Sequence, residues 1–400
     1  MNTEPFSVDP VIAKARAKEG LDDFGPGEFE EPLGVLLDAY GGAGLSDLGA
    51  MILGSGAVHS LRMRLRATEW IRRFPEIADE VVDDPIVVVG MMRSGTTLTQ
   101  RLLAADPHFR CAQGWEVIEV APSLDHDWSS ADPRIARGLE REEQTKTFAP
   151  DLFAIHPMHA LEAEEEIVFL ADAFLSHVPE SGAHVPGYRE WLDAQSFTPA
   201  YDYLHRMLQL LQWQKRQRGE TAERWVLKTP AHLGYLDDLH ARFPGVHVVH
   251  LHRDPRETIP SGASLNTVLH QMHSDQVDPV RVGTDWIERM GWTNDRALAT
   301  RARWDAESAQ VKADSASSGA PRVTDIAFAD VVADPIAQVA RVYDDAGLEL
   351  TAEAEASMRS WLQRRPREAG RPAYDAVSFG LTDTAIDDRF RAYNERFRQY

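Results

Sequence analysis

Apolar side chains change their spacing along the chain, and each change predicts a different element. Up to about residue 82 they recur every three or four positions, as in "LGVLLDAY" and "SLRMRLRATEWIRRF", which predicts a mostly helical N-terminal segment. At "DDPIVVVGMM" the pattern becomes continuous. Ile86 to Val89 form a β-branched run between Pro85 and Gly90, as expected of a strand buried on both faces of a parallel sheet. A helix should follow with Leu98, Leu102 and Leu103 on its buried stripe, stopped by Asp106-Pro107 because a residue before proline disfavours helical angles.

Arg224 to Leu265 repeats this alternation. Trp225 to Leu227 reads as a strand, Leu233, Leu236 and Leu239 as a helical stripe, and Val246 to Leu251 as the next strand. Asp254 then fits an N-cap, with Pro255 in the first turn and Glu257 at the capping-box position. A final strand fits "RVTDIAFADVV", and "KADSASSGAP", residues 312–321, reads as a surface loop. Ala121 to Glu223 reads as mainly helical, most clearly in "EEEIVFLADAFLSHV" and "YDYLHRMLQLLQWQKR", with the acidic run Glu162 to Glu166 as a solvated helix face or a reach into a pocket. An insertion of this size shapes a substrate pocket; Phe153, Phe169, Phe174 and Trp191 either line it or pack in the core. The resulting fold class is α/β: a parallel sheet flanked by helices, with a helical segment at 1–82 packed on a domain at 83–400 that contains the insertion at 121–223.

Composition narrows the functions. The 400 residues are 43% hydrophobic and 26% charged, and no apolar run reaches the roughly 18 residues of a membrane span. The first residues lack the basic and apolar regions of a secretory signal, so a cytoplasmic protein is expected. Cys111 is the sole cysteine, which excludes an internal disulfide and reads as a small core residue, and no Cys/His spacing suggests zinc. A formal charge of -21 argues against nucleic acid as a partner, so an anionic ligand must meet a local positive site.

That site is found after the first strand. Gly90-Met-Met-Arg-Ser-Gly95-Thr96-Thr97 keeps the G-x-x-x-x-G spacing that wraps backbone N–H groups around a phosphate at a helix N-terminus. Thr96 stands where nucleotide triphosphatases carry the lysine that reaches the β- and γ-phosphates. The positive charge lies instead inside the loop at Arg93, whose planar fork can hold a phosphate without a metal. This chemistry suits a 5′-phosphate bearing one transferable group.

The loop "RSGTT" resembles that of bacterial sulfotransferases that use 3′-phosphoadenosine 5′-phosphosulfate (PAPS), a group related to the protein-tyrosine sulfotransferases. The resemblance implies a P-loop NTPase-like fold and a 5′-phosphosulfate held by Arg93, Ser94, Gly95, Thr96 and Thr97. It also implies a 3′-phosphate held by Arg253 and Ser261 of "RDPRETIPS", and a lysine on the transferring sulfonate at Lys228 of "WVLKTPAHL". The looser "AIHPMHALEAEEE" and the "FGL" at Phe379 extend the likeness over most of the chain. Arg93 and Lys228 would stabilise charge on the leaving phosphate. The acceptor hydroxyl needs a general base, for which Glu116 of "CAQGWEV" is the candidate, with His156, His159 and Glu165 as alternatives and His232 close to Lys228 in sequence. The implied partner is a small-molecule or lipid-like acceptor bearing a hydroxyl. No metal is expected, and a homo-oligomer is left open. The rivals are a small-molecule kinase with a modified phosphate loop and a nucleotide-binding protein without chemistry. The "HRD" at residues 252–254 lacks the downstream Asn of a protein-kinase catalytic loop.

Overall fold

A computed structural model of the chain describes residues 6–314, 321–365 and 375–400. Five strands form one parallel sheet: β1 (Ile86–Gly90), β2 (Phe109–Arg110), β3 (Arg224–Lys228), β4 (His247–His252) and β5 (Arg322–Ala327), in the order β2-β3-β1-β4-β5. Successive side chains of a strand point to opposite faces, so one continuous apolar run must serve two cores. Val87 and Val89 pack with Leu33, Leu61 and Leu211 from the N-terminal and inserted helices. Ile86 and Val88 pack with Leu102, Leu103, Ile336 and Val339 on the other face. All four β1 side chains are fully buried.

The N-terminal helices Val8–Glu19, Glu30–Gly41 and Asp47–Arg73 therefore share a core with the sheet. The inserted region is helical at Pro133–Phe148, Pro150–Ile155, Ile167–Asp172, Val178–Gly182, Pro186–Asp193 and Thr198–Gln217. Asp254 caps the helix Pro255–Gln271 by accepting from the amide of Arg256 at 2.8 Å. Glu257 does not complete the expected capping box; its carboxylate turns to Arg253. Leu233 lies in a 3₁₀ turn, Pro230–Tyr235, and only Leu236–Arg242 is α-helical. The helix Pro279–Asp314 runs into the segment expected as a loop, whose residues 315–320 lie outside the described residues. Cys111 is half-buried rather than a core residue. Among the described residues no helix is long and apolar enough to cross a membrane.

β4 carries three buried histidines, His247, His250 and His252. His247 meets the hydroxyl of Thr324 at 2.9 Å, and His252 meets Asp325 at 2.9 Å. Arg301 holds both oxygens of Asp325 and lies 3.1 Å from His250. His250, His252 and Asp325 have the spacing of a metal site, but this guanidinium already neutralises the carboxylate.

Candidate active site

Parallel strands bring their carboxyl ends to one edge, where ligands of open α/β sheets bind. Four segments arrive there: the loop after β1, Lys228 ending β3, Arg253 following β4 and Phe328 following β5. The order of strands reverses about β1, which places its loop between the other two cations.

The loop is closely built. Gly95 has φ +92, and a Cβ there would lie 2.8 Å from the Phe328 ring. A Cβ on Gly90 would lie 2.7 Å from both the Leu251 carbonyl and Ser94 Oγ. Ser94 Oγ donates to the Met91 carbonyl at 2.7 Å and so braces the loop from within. Gly95 is the N-cap of the helix Thr96–Leu103 and supplies no side-chain acceptor, leaving the first N–H groups directed at whatever the loop holds.

Arg93 adopts a left-handed backbone, φ +74, which is uncommon for a residue with a Cβ and is found where function fixes the chain. Its Nε donates to Ser261 Oγ at 3.2 Å and its Nη1 to the Ile155 carbonyl at 2.9 Å. Arg253 Nη1 donates to the Arg93 carbonyl at 2.8 Å, and its guanidinium lies 4.1 Å from the centroid of the Phe328 ring. Arg93, Arg253 and Ser261 thus meet at the carboxyl edge of the sheet.

Lys228 closes the other side. Its fully buried side chain donates to Thr97 Oγ1 at 3.2 Å and to Glu165. Glu165 also accepts from Thr229 Oγ1 at 3.2 Å. Burial pushes its carboxyl upward, but the charges of Lys228 and His156, with hydrogen bonds from Lys228 and Thr229, outweigh that and hold it below the ordinary carboxylate range.

Glu165 occupies this position because the acidic run is not a solvated helix face. Ala163 bridges Gln113 in antiparallel fashion, the Glu164 amide donates to the Ala112 carbonyl, and Gln100 donates to the Glu164 carbonyl. These bonds keep the segment extended until the helix begins at Ile167. Glu164 accepts from Arg101 at 3.4 Å. Glu166 accepts from the Lys228 amide at 3.0 Å and from His232 at 2.7 Å, while His232 accepts in turn from Tyr201.

The other base candidates fall elsewhere. Glu116 is fully buried in the short helix Gly114–Ile118, where Arg218 approaches one carboxylate oxygen at 2.6 Å and Lys215 the other at 2.9 Å. Burial raises its pKa, yet the two cations more than reverse this, so it is anionic but enclosed. Both carboxylate oxygens of Glu116, the residue expected to take the proton of an acceptor, are thus held by cations. His159 is engaged by Glu142 at 2.9 Å. His232 is fixed between Tyr201 and Glu166, and His156 faces the cavity beside Glu165.

That cavity has a volume of about 330 Å³ and opens between Met92, Glu165 and the helix Pro255–Gln271. Its wall is mostly aliphatic, with Ile167, Val168, Leu265, Leu269, Val282 and Met290. Phe153, Phe169, Phe174 and Trp191 do not line it; Phe169 and Phe174 are core residues. At its far wall Arg289 binds Glu180 at 2.8 Å and Asp193 at 2.7 Å, so those charges are spent on each other.

The sequence profile of the sulfotransferase family matches residues 85–352, which contain every element of this edge. The chain belongs to the sulfotransferase family. Among solved structures, this sulfotransferase-family chain is similar to sulfotransferase STF1 from Mycobacterium tuberculosis H37Rv, with 32% identity and a TM-score of 0.82 over 96% of this chain and 98% of that one. It is also similar to sulfotransferase STF9 from Mycobacterium avium, with 26% identity and a TM-score of 0.84 over 97% and 96%. The fold is thus the P-loop-like fold of those enzymes. A further relative is the omega-hydroxy-beta-dihydromenaquinone-9 sulfotransferase Stf3 of Mycobacterium bovis, 25% identical over 289 residues. That alignment spans 68% of this chain and 65% of the length of the relative.

One residue of the site escaped the sequence reading and another was ranked second. Phe328 carried no local signal, because its role depends on β5 ending beside β4. Glu165 was weighed only as an alternative to Glu116; three adjacent carboxylates bordering the apolar "IVFL" were the available hint, since such a run is costly unless each acid finds a partner.

Proposed function

We propose that the chain is a PAPS-dependent sulfotransferase that transfers a sulfonate to a hydroxyl of an apolar small molecule or lipid-like acceptor. The observation that carries this reading is the convergence of Arg93, Lys228, Arg253 and Ser261 about an uncapped helix N-terminus, with Glu165 at the junction of that cleft and an apolar cavity. The glycine positions leave room for a phosphate against the backbone, and the cations are of the kind and number that a bisphosphorylated nucleoside requires.

In this assignment the loop amides, Arg93, Thr96 and Thr97 hold the 5′-phosphosulfate end, and Arg253 with Ser261 holds the 3′-phosphate. PAPS supplies an activated sulfonate whose S–O bond to the 5′-phosphate breaks as the acceptor oxygen bonds to sulfur. Lys228, fixed against Thr97, stabilises the charge left on the phosphate. Glu165 is anionic at neutral pH and receives the acceptor's hydroxyl proton. Arg93 places a permanent cation where nucleotide triphosphatases use lysine and Mg²⁺, so binding without a divalent cation follows. The name of the Stf3 relative, which specifies a hydroxyl on a lipid quinone, supports an apolar acceptor for this chain.

Titration calorimetry of adenosine 3′,5′-bisphosphate in metal-free buffer should show binding; no heat under those conditions refutes the reading. Mass spectrometry of a metabolite extract incubated with the protein and PAPS should reveal a product that gains one sulfonate.

A further inference from the structure

The three consecutive acids before the helix Ile167–Asp172 each meet a different partner. Glu166 accepts from the Lys228 amide and meets His232, and Glu165 is held by the side chains of Lys228 and Thr229. Glu164, 5% exposed, pairs with Arg101 at 3.4 Å. Arg101 is itself only 9% exposed and stands in the last turn of the helix Thr96–Leu103. A buried guanidinium is costly unless it is bonded, and the bonds of Arg101 all fall on residues 157–164, just before Glu165.

Arg101 Nε donates to the Ala163 carbonyl at 3.2 Å, and Nη2 to Glu164 Oε2 at 3.4 Å and to the Pro157 carbonyl at 3.5 Å. Gln100, fully buried beside it, donates to the Glu164 carbonyl at 3.0 Å. The Glu164 carboxylate passes the constraint on, because its other oxygen, Oε1, accepts from the Glu165 amide at 3.0 Å. One helix thus holds the main chain that leads into Glu165. The same helix also reaches Glu165 from the opposite side. Thr97, one turn before Arg101 on the same face, accepts from Lys228, which pairs with Glu165.

We propose that Arg101 is a positioning residue for the transfer: through Glu164 it fixes Glu165 relative to the phosphosulfate bound at the start of its own helix. This deepens the sulfotransferase reading and rests on it. Arg101 does not line the acceptor cavity, so it acts only through the residues it holds. Its fork fixes the place of the base, and a base misplaced by an ångström loses much of its effect. Its charge also offsets Glu164, which would otherwise stand as a second buried anion next to Glu165 and make that carboxyl harder to keep ionised.

The test is a double-mutant cycle on the full chain, with PAPS as donor and dodecanol as acceptor. Arg101→Met keeps most of the side-chain length; Arg101→Lys keeps the charge without the fork and guards against a variant that fails to fold. Each should lower kcat, normalised to the folded fraction, by roughly ten- to a hundred-fold, while calorimetry finds the affinity for adenosine 3′,5′-bisphosphate kept within about threefold. In a Glu165→Gln background the same substitutions should change kcat by less than about twofold, because a residue that works through the base then has nothing left to position. An equal loss in both backgrounds, or an unchanged kcat in a folded Arg101 variant, overturns the proposal. Crystal structures of the variants with the bisphosphate give a readout free of turnover. The Glu165 carboxylate should leave Thr229 Oγ1, and its retention there at 3.2 Å also overturns the proposal. A displaced Glu165, with no sulfonate moved by the parent protein to dodecanol or to any compound of a metabolite extract, sinks the transferase reading instead and keeps Arg101 as the residue that fixes Glu165.

Discussion

Arg253 donates from Nη1 to the main-chain carbonyl of Arg93 at 2.8 Å, so the two arginines are joined through the backbone of the loop after β1. The same Arg93 donates to Ser261, which closes a ring from the loop to the helix after β4 and back. In the proposed assignment the residues that hold the 3′-phosphate also support the loop that holds the 5′-phosphate.

Replacing Arg253 with Ala should therefore weaken adenosine 3′,5′-bisphosphate roughly ten- to a hundred-fold, the effect of losing charge-assisted hydrogen bonds. Adenosine 5′-monophosphate should be affected much less. Calorimetry with both nucleotides checks this, and an equal loss for the two would remove Arg253 from the 3′ end.

Lys228 is buried against Thr97 and Glu165. Lys228→Met keeps its length and apolar stem while removing the charge, and kcat should fall by about 100- to 1000-fold while bisphosphate binding persists. Single-turnover rates at saturating PAPS measure the effect.

Glu165 and Glu116 should differ in what they do to turnover among folded molecules. Glu165→Gln should lower kcat by about 100-fold or more in the folded fraction, and it also lowers the melting temperature because buried Lys228 loses its anion. Glu116→Gln removes the buried anion of Lys215 and Arg218, leaving them only the more exposed Glu220, and should cost about 3 kcal/mol in urea denaturation, while the folded fraction keeps its turnover. The reverse pattern would restore Glu116 as the base.

The acid limb of the pH profile identifies the base as well. Glu165 has a carboxyl held below its ordinary value, so as a base it stays active until the pH falls beneath the usual carboxylate range of about 4.3. An unperturbed imidazole acting as base would instead lose activity as the pH falls through about 6.5. Initial rates, normalised to the native fraction from tryptophan fluorescence, distinguish the two.

Much of the fold could be read from local spacing. The apolar run at Ile86–Val89 had to be a central parallel strand, and the pairing of its odd and even residues with two separate cores follows from that alone. The same holds for the placement of Arg93, Arg253 and Ser261, which is set by strand ends and a short helical offset. Glu165 was harder, because the periodicity of "EEEIVFLADAFLSHV" continues a helix backwards through residues that Ala112, Gln113 and Gln100 pull into an extended chain. Contacts between residues about fifty or more positions apart overrode the local preference. Glu116 illustrates the converse: its sequence position suited a base, but the partners that enclose it come from the end of the distant helix Thr198–Gln217 and the residue after it.

The three imidazoles in β4 carry a cost that appears only in acid. Burial pushes His247 down to about 4 and holds His250 and His252 below the ordinary histidine range. Each is accommodated in its uncharged form, whereas an unfolded chain takes up these protons from about pH 6.5 downward. Native stability is therefore complete above about 6.5 and drains away as the pH falls toward 4, with His247 alone contributing up to about 3 kcal/mol of the loss. Urea midpoints should already decline between pH 6.5 and 5, before the ordinary carboxylates titrate. The strand at the heart of the molecule thus acts as a proton gauge, tying the working life of the fold to near-neutral surroundings.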